Sequence, residues 1–343
     1  MTKKALIIGI NYYGQSYQLS GCLNDAANVR DFLVGEHGFE DNPDNVVVMT
    51  DADENKDTLL YPTRDNMINA MRWLVSDNRH GDSVWLSYSG HGGQTTDADG
   101  NNPTTEEDTI CPVDFPETGQ IDSATLYQIL VDPLHPEARL TILFDCCHSG
   151  SACALPYVYR PDEEGNISVT FNDFVQTLQE GAQLVVAAQQ LAHAPVMLSL
   201  DTLTQAKSFM HGVTGFAKDL AVVAETAIHG NPDDPNEDGL VRVDATVTVT
   251  TVKDVWMFSG CADDQTSADT NIAGVATGAM SWAFLAAMRQ IPDGELSYVG
   301  LLTATRQLLK ENYSQIPQLS CGGEYDLDQA IMVSHSLSLL VIE

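Results

Sequence analysis

Residues 83–93 read SVWLSYSGHGG and residues 139–150 read RLTILFDCCHSG. Each begins as a short apolar run and stops at small, polar, chemically capable residues, the pattern of a buried strand feeding a loop. VWLSY at 84–88 and LTILF at 140–144 therefore predict strands. Ser89-Gly90-His91-Gly92-Gly93 follows the first, and Asp145-Cys146-Cys147-His148-Ser149-Gly150 follows the second. Outward from these, ALIIGI at 5–10 predicts another strand. A helix follows within 19–36, where Leu23, Ala26, Val29, Phe32 and Leu33 recur at helical spacing. VVVM at 46–49 precedes a periodic stretch from Arg64 to Val75, and a further helix is predicted near 123–131. LVVAA at 184–188 and VWMFSG at 255–260 add two strands, and 277–290 and 297–312 add two helices. Strands alternating with amphipathic helices predict an α/β fold, with a mainly parallel sheet of six or more strands flanked by helices on both faces.

The 343 residues suit one large α/β unit carrying insertions. The acidic run NPDDPNEDG at 231–239 and the Thr/Val run at 246–252 predict an inserted hairpin or flexible loop, and DADGNNPTTEED at 97–108 predicts a polar loop. The expected division is a large catalytic portion over 1–160, a linker or insertion over 161–252, and a small portion over 253–343, all within one compact domain. Asp and Glu total 48 against 16 Lys and Arg, a formal charge of −32. Such a surface repels nucleic acid and anionic membranes and attracts basic peptides. No apolar run approaches the roughly 18 residues of a membrane span. Seven cysteines, an odd and sparse set, argue for a reducing compartment. The basic N-terminus carries no secretory apolar region, so a cytoplasmic location, with the nucleus also open, is expected.

In open parallel sheets ligands bind beyond the carboxyl ends of the strands, where the reactive residues of this chain fall. A thiol needs a base or positive charge beside it to become a thiolate at neutral pH, and histidine is the usual partner. Cys147 and His91 fit those roles. The backbone amides of Gly92 and Cys147 could then donate to an oxyanion. Two other readings stay open. A buried cysteine is often only a small apolar group. Cys146-Cys147-His148 could also be a metal or redox site, although adjacent cysteines lack the two-residue gap that lets both sulfurs face one ion.

The segments KKALIIGINYYG, LSGCLNDA, SYSGHGGQT, PVDF, RLTILFDCCHSGS and MFSGCADDQTSADT, in this order, resemble a type I metacaspase of the fungal kind. The resemblance runs from Lys3 to about Arg160 and from about Asp254 to Leu319. It implies a caspase-like (caspase-hemoglobinase) fold and an endopeptidase that cuts after Arg or Lys, with His91 as the catalytic histidine and Cys147 as the nucleophile. His91 precedes Cys147 by an interval close to the roughly 50 residues typical of caspases. The resemblance also implies a pocket for the basic side chain built from Cys22, Asp25, Ser89 and Asp145. Cys146 stands where the family often has Ser and reads as a packing residue. No third member of a catalytic triad is evident in the sequence.

Departures from the family pattern concern calcium and regulation. Relatives usually bind Ca2+ through acidic residues before PVDF, after it, and shortly after His-Ser-Gly. Here Asp108 matches the first, the segment 119–124 after PVDF holds one carboxylate, Asp122, where the family usually has two or three, and Ala154 stands at the last. Calcium takes six to eight oxygens, so weak or absent dependence and no obligatory cofactor are expected. Asp97, Asp99, Glu106 and Glu107 form an alternative cluster. The stretch from Asp234 to Gly239 begins like an EF-hand loop but has Ala245 where the closing Glu belongs. The first strand begins almost at Met1, so regulation by the Pro/Gln-rich arm of fungal relatives is not expected. Self-cleavage, common in the family, has Lys207, Lys218 and Arg160 as candidate sites. Protein or peptide substrates with Arg or Lys at the cleaved position, and a monomeric state, complete the expectation. The alternative is a non-proteolytic protein of the same fold that binds partners or handles aggregates.

Overall fold

The computed structural model describes residues 1–96, 106–146, 152–161, 167–171, 252–261, 269–272, 275–290, 296–310, 313, 315–323, 325–331 and 333. Cys147, Lys207, Lys218 and the strand predicted at 184–188 lie outside them. The chain divides into two compact units. One comprises Met1–Thr95, Glu107–Leu178 and Val252–Glu343, and the other Thr96–Glu106 with Gln179–Thr251.

The larger unit carries the fold. Its strands are β1 (Lys3–Gly9), β2 (Val46–Thr50), β3 (Ser83–Ser89), β4 (Gly92–Thr96), β5 (Glu106–Ile110), β6 (Ile121–Asp122), β7 (Arg139–Asp145), β8 (Tyr157–Pro161), β9 (Ile167–Phe171), β10 (Asp254–Cys261), β11 (Asp269–Ile272), β12 (Val275–Gly278) and β13 (Ile316–Cys321). Its helices are α1 (Cys22–His37), α2 (Arg64–Val75), the short α3 (Phe115–Thr118) and α4 (Ser123–Leu126), α5 (Ala279–Gln290) and α6 (Tyr298–Lys310). Among the described residues, eight strands form one sheet in the order β2-β1-β3-β7-β10-β13-β8-β9. β2 through β10 run parallel, and β13, β8 and β9 extend the sheet antiparallel. β4, β5 and β6 form a small separate sheet, and β11 pairs with β12.

The central strands are apolar on both faces because both are covered. Leu6, Ile8, Val84, Leu86, Leu140, Ile142, Val255 and Met257 point into one apolar cluster with Met67, Met71, Leu74 and Val75 of α2. The alternate residues Ala5, Ile7, Trp85, Leu143, Trp256 and Phe258 enter a second cluster with Val29, Phe32 and Leu33 of α1 and with α5 and α6. Burying each such large side chain is worth about 1.5–3 kcal/mol, so no strand can slip by one residue without exchanging its two faces. Trp256 stacks on Tyr298 of α6 at 3.7 Å between ring centroids, tying α6 to the sheet.

The register aligns three strand ends. Gly9 pairs with Ser89, and Ser89 pairs with Asp145. Strand order reverses at β1, since α1 leads to β2 across one face and α2 leads to β3 across the other. This reversal opens a crevice outside the carboxyl ends of β1, β3 and β7. No helix of the described residues is long and apolar enough to cross a membrane.

Candidate active site

His91 follows β3 by two residues, at the crevice. Its Nε2 lies 2.6 Å from the Tyr17 carbonyl oxygen. A carbonyl can only accept, so the ring carries its proton on Nε2 and keeps a lone pair on Nδ1. The orienting third group, absent from the sequence reading, is thus a backbone oxygen. Tyr12 lies against the imidazole with centroids 4.7 Å apart, and Tyr17 meets it edge-on at 5.7 Å. Gly92, the candidate oxyanion donor, is the first residue of β4 and is half-buried.

The loop joining β1 to α1 brings both tyrosines to the histidine. Asp51, buried just past β2, accepts the Asn11 amide at 2.9 Å and the Tyr13 amide at 3.2 Å. The Asn11 side chain accepts the Cys22 amide at 3.0 Å. Tyr12, held between these anchors, adopts a φ of 55°, a left-handed conformation uncommon outside glycine.

Asp25, one turn into α1, faces the end of β3 and is 1% exposed. Ser89 Oγ donates to Asp25 Oδ2 at 2.7 Å, the Gly278 amide donates to both carboxylate oxygens at 2.9 Å, and the Thr277 hydroxyl donates to Oδ1. Asp145 Oδ2 accepts the Ser281 amide at 2.7 Å, at the start of α5. Burial, and then the neighbouring Asp145 charge, push the Asp25 carboxyl up to about 7 against the pull of these donors. Asp25, Ser89 and Asp145 of the expected pocket therefore meet in one place. Cys22 opens the same helix and is buried in the apolar cluster with Tyr12. Thr277 and Gly278, read from the sequence as the beginning of a helix, instead end β12, where they bond to Asp25.

Cys146 closes the cluster beneath β7 and is 1% exposed. Cys147, the sequence-predicted nucleophile, is the next residue and lies outside the described set. Burial pushes the thiols of Cys111, Cys153 and Cys321 up to about 12, which removes them as nucleophiles near neutral pH. Arg160 lies within β8, where its Nε donates to Gln318 Oε1 at 2.6 Å.

The calcium ligands do not assemble among the described residues. Asp108 Oδ1 accepts the Gln94 amide at 3.3 Å, and Asp122 accepts the Thr125 amide at 2.7 Å as the N-cap of α4. Ala154, buried at 7% exposure, offers no oxygen from its side chain. Among the described residues no group of three His, Cys, Asp or Glu is arranged to hold a metal ion. Asp97, Asp99 and the side chains of Glu106 and Glu107, the alternative cluster, lie outside the described residues, as does the stretch from Asp234 to Gly239.

The contributions of Tyr12, Tyr17, Tyr88, Thr277 and Gly278 escaped the sequence reading. The only local signal was NYYG directly after a strand end, where a loop that must turn sharply carries two large aromatic residues.

Comparison with known proteins bears on what this arrangement is. Residues 3–156 match the family described as metacaspase, peptidase C14 domain. Metacaspase-1A of Neurospora crassa is 39% identical over 335 residues, covering 96% of this chain and 65% of the relative. Metacaspase-1 of Sclerotinia sclerotiorum is 41% identical over 321 residues, covering 93% and 66%. Metacaspase-1 of Ajellomyces capsulatus is 39% identical over 329 residues, covering 95% and 81%. The chain thus spans just under two thirds of the first two relatives. A solved protein of Geobacter sulfurreducens shares the fold, with a TM-score of 0.51 at 19% identity over 96% of this chain and 98% of that one. With a caspase-like α/β sheet, a glycine-flanked histidine at one strand end and two carboxylates beside it, the chain belongs to the metacaspase family, peptidase C14.

Proposed function

We propose that the chain is a cysteine endopeptidase that cuts after Arg or Lys. Cys147 is the nucleophile and His91 its acid–base partner. With the Nε2 proton committed to the Tyr17 carbonyl, Nδ1 takes the thiol proton as sulfur attacks the scissile carbonyl. The same proton then passes to the departing amine as the C–N bond breaks, leaving a thioester on Cys147. Water hydrolyses the thioester and restores the thiol. The amides of Gly92 and Cys147 donate to the oxyanion in both halves of the reaction.

The observation that carries the specificity is the buried pairing of Asp25 with Asp145, in register with the strand that delivers His91. Two like carboxylates in a buried site disfavour each other's charge, and a cation entering between them relieves this. A guanidinium matches them in charge and geometry, and an ammonium in charge. Negative charge near Cys147 also opposes its ionisation, so a bound Arg or Lys side chain assists the thiolate as well as filling the pocket. The proposed protein works as a monomer in the cytoplasm on protein or peptide substrates, with no partner among nucleic acids or membranes and no need of calcium. Self-cleavage is assigned to Lys207 or Lys218, because Arg160 lies in a strand laddered on both sides, by β9 and β13.

The test is hydrolysis of paired fluorogenic peptides ending in Arg, Lys or Asp by the full chain and by Cys147→Ala and His91→Ala. Cleavage of the Arg and Lys peptides that vanishes in both variants is the expected result. Cleavage after Asp, or activity surviving in Cys147→Ala, would overturn the reading.

A further inference from the structure

The peptide unit of His91 is held by two buried phenols. Tyr12, 0% exposed, reaches it from the loop after β1, and Tyr88, 1% exposed, from within β3. The His91 amide donates to Tyr12 Oη at 3.0 Å, and Tyr88 Oη donates to the His91 carbonyl at 2.6 Å. On the other side stands the Cys111 peptide, just beyond β5. Tyr12 Oη donates to the Cys111 carbonyl at 2.6 Å, and the Cys111 amide donates to Tyr88 Oη at 3.2 Å.

Counting hydrogens fixes the pattern. Each phenol has one proton, and each meets a carbonyl at 2.6 Å, so the 3.0 Å contact between the two hydroxyl oxygens is left without a proton of its own. The His91 peptide gives its N–H to Tyr12 and takes the Tyr88 proton on its carbonyl, while the Cys111 N–H is shared between Tyr88 Oη and the His91 carbonyl, 3.1 Å away, so the four groups form one hydrogen-bonded network. Burial holds both hydroxyls well above the ordinary tyrosine range, the Cys111 thiol adding to it at Tyr12 and Tyr12 itself at Tyr88, so both stay protonated through any working pH. Gly90 fits the same arrangement, since a β-carbon there would lie 2.7 Å from Tyr88 Oη and 3.0 Å from Tyr12 Oη. Tyr12 also lies against the imidazole ring, so one residue fixes both the backbone and the side chain of His91.

We propose that Tyr12 and Tyr88 are positioning residues for His91, setting the direction of Nδ1 through a network of phenol and peptide hydrogen bonds. The proposal rests on the reading of His91 as the acid–base residue. Displacing a reacting group by about 1 Å can cost on the order of a hundredfold in rate, and the phenols' hydrogen bonds run to the His91 and Cys111 peptides, so the loss should fall on turnover more than on binding.

The test compares Tyr12→Phe, Tyr88→Phe, the double variant, His91→Ala and Leu126→Ala in the full chain, on an Arg-ending fluorogenic peptide. Leu126 belongs to the same apolar cluster and supplies no side-chain hydrogen bond, so Leu126→Ala matches any loss of packing. Each phenylalanine variant should lower kcat by about tenfold or more with KM within about twofold, and the double variant should fall little further, as residues acting as a unit do. Leu126→Ala should lose melting temperature and keep kcat. Should Tyr12→Phe fold poorly because of its strained backbone, Tyr88→Phe, in regular strand geometry, carries the comparison. Full kcat in Tyr88→Phe, or an equal kcat loss in Leu126→Ala, overturns the proposal. Retained activity in His91→Ala overturns instead the reading of His91 on which it rests.

Discussion

Gly278 is wedged against the carboxylates of Asp25 and Asp145, the two acids of the proposed pocket. A β-carbon at this position would overlap Asp145 Oδ2, with Asp145 Cγ at 2.6 Å and Asp25 Oδ2 at 2.9 Å. The chain approaches so closely because the Gly278 amide donates to both oxygens of Asp25. Gly278→Ala must therefore push the carboxylates apart or move β12. It should lower kcat/KM for Arg-ending peptides by about tenfold or more, chiefly through KM, because a displaced pair of charges no longer meets one cation together. Steady-state kinetics check this, and an unchanged KM removes Gly278 from the pocket.

The raised carboxyl of Asp25 sets a pH dependence of definite sign. Below about 7 Asp25 is mostly protonated and cannot pair fully with a cation, so kcat/KM for Arg peptides should rise with pH through about 7 and then level. Stability runs the other way. A carboxyl whose folded pKa is raised favours the fold in its protonated form, so this contribution is complete below about 3.8 and is lost as pH rises through about 7. Asp25→Asn should flatten both slopes and weaken Arg binding at alkaline pH. Rate and melting profiles measured from acid to alkaline pH read out the two effects.

Calcium should matter little. With Ala154 where a carboxylate would be needed and Asp122 engaged as a helix cap, chelator should leave the rate on Arg peptides within about twofold of that in millimolar calcium. A rate that collapses in chelator and returns with calcium contradicts this.

Asp51 anchors the loop that presents Tyr12 and Tyr17 to His91. Asp51→Ala strands the amides of Asn11 and Tyr13, a loss of roughly 1–3 kcal/mol for each amide that stays buried and unpaired. The urea midpoint should fall, and kcat should fall with it even where the enzyme is fully folded. A midpoint shift with kcat intact would separate this anchor from the alignment of His91.

A small cationic ligand should quicken alkylation of Cys147. If the paired acids oppose thiolate formation, an arginine analogue filling their site raises the iodoacetamide rate, whereas mere protection from the reagent counts against the coupling.

The parallel part of the sheet was legible because its strands are apolar on both faces. β1, β2, β3, β7 and β10 all fall where apolar runs predict them, and α2 spans the predicted Arg64–Val75. The antiparallel extension was not. β13 reads IPQLSC and buries Gln318 and Ser320, and β8 carries the exposed Arg160, which bonds to Gln318 Oε1, so polar residues within these strands broke the expected apolar pattern. The predicted helix over 19–36 begins at Cys22, because Leu19 still bonds back to Asn11 as part of the loop.

Within the site, motif residues were readable and their supports were not. His91 announces itself by type and neighbours, and Asp25 and Ser89 come with the family resemblance. Tyr17 contributes only a carbonyl, which any residue could have supplied. Tyr12 works through peptides 79 and 99 positions away, a relationship no local window contains.

Asp25 and Thr277 are separated by 252 positions along the chain. During synthesis the histidine and its tyrosine clasp therefore leave the ribosome long before the glycine and hydroxyl that finish the acidic hole. On the proposed reading selectivity matures late, and a truncated product ending before β12 would hold the proposed proton-transfer histidine without a completed means of choosing what to cut.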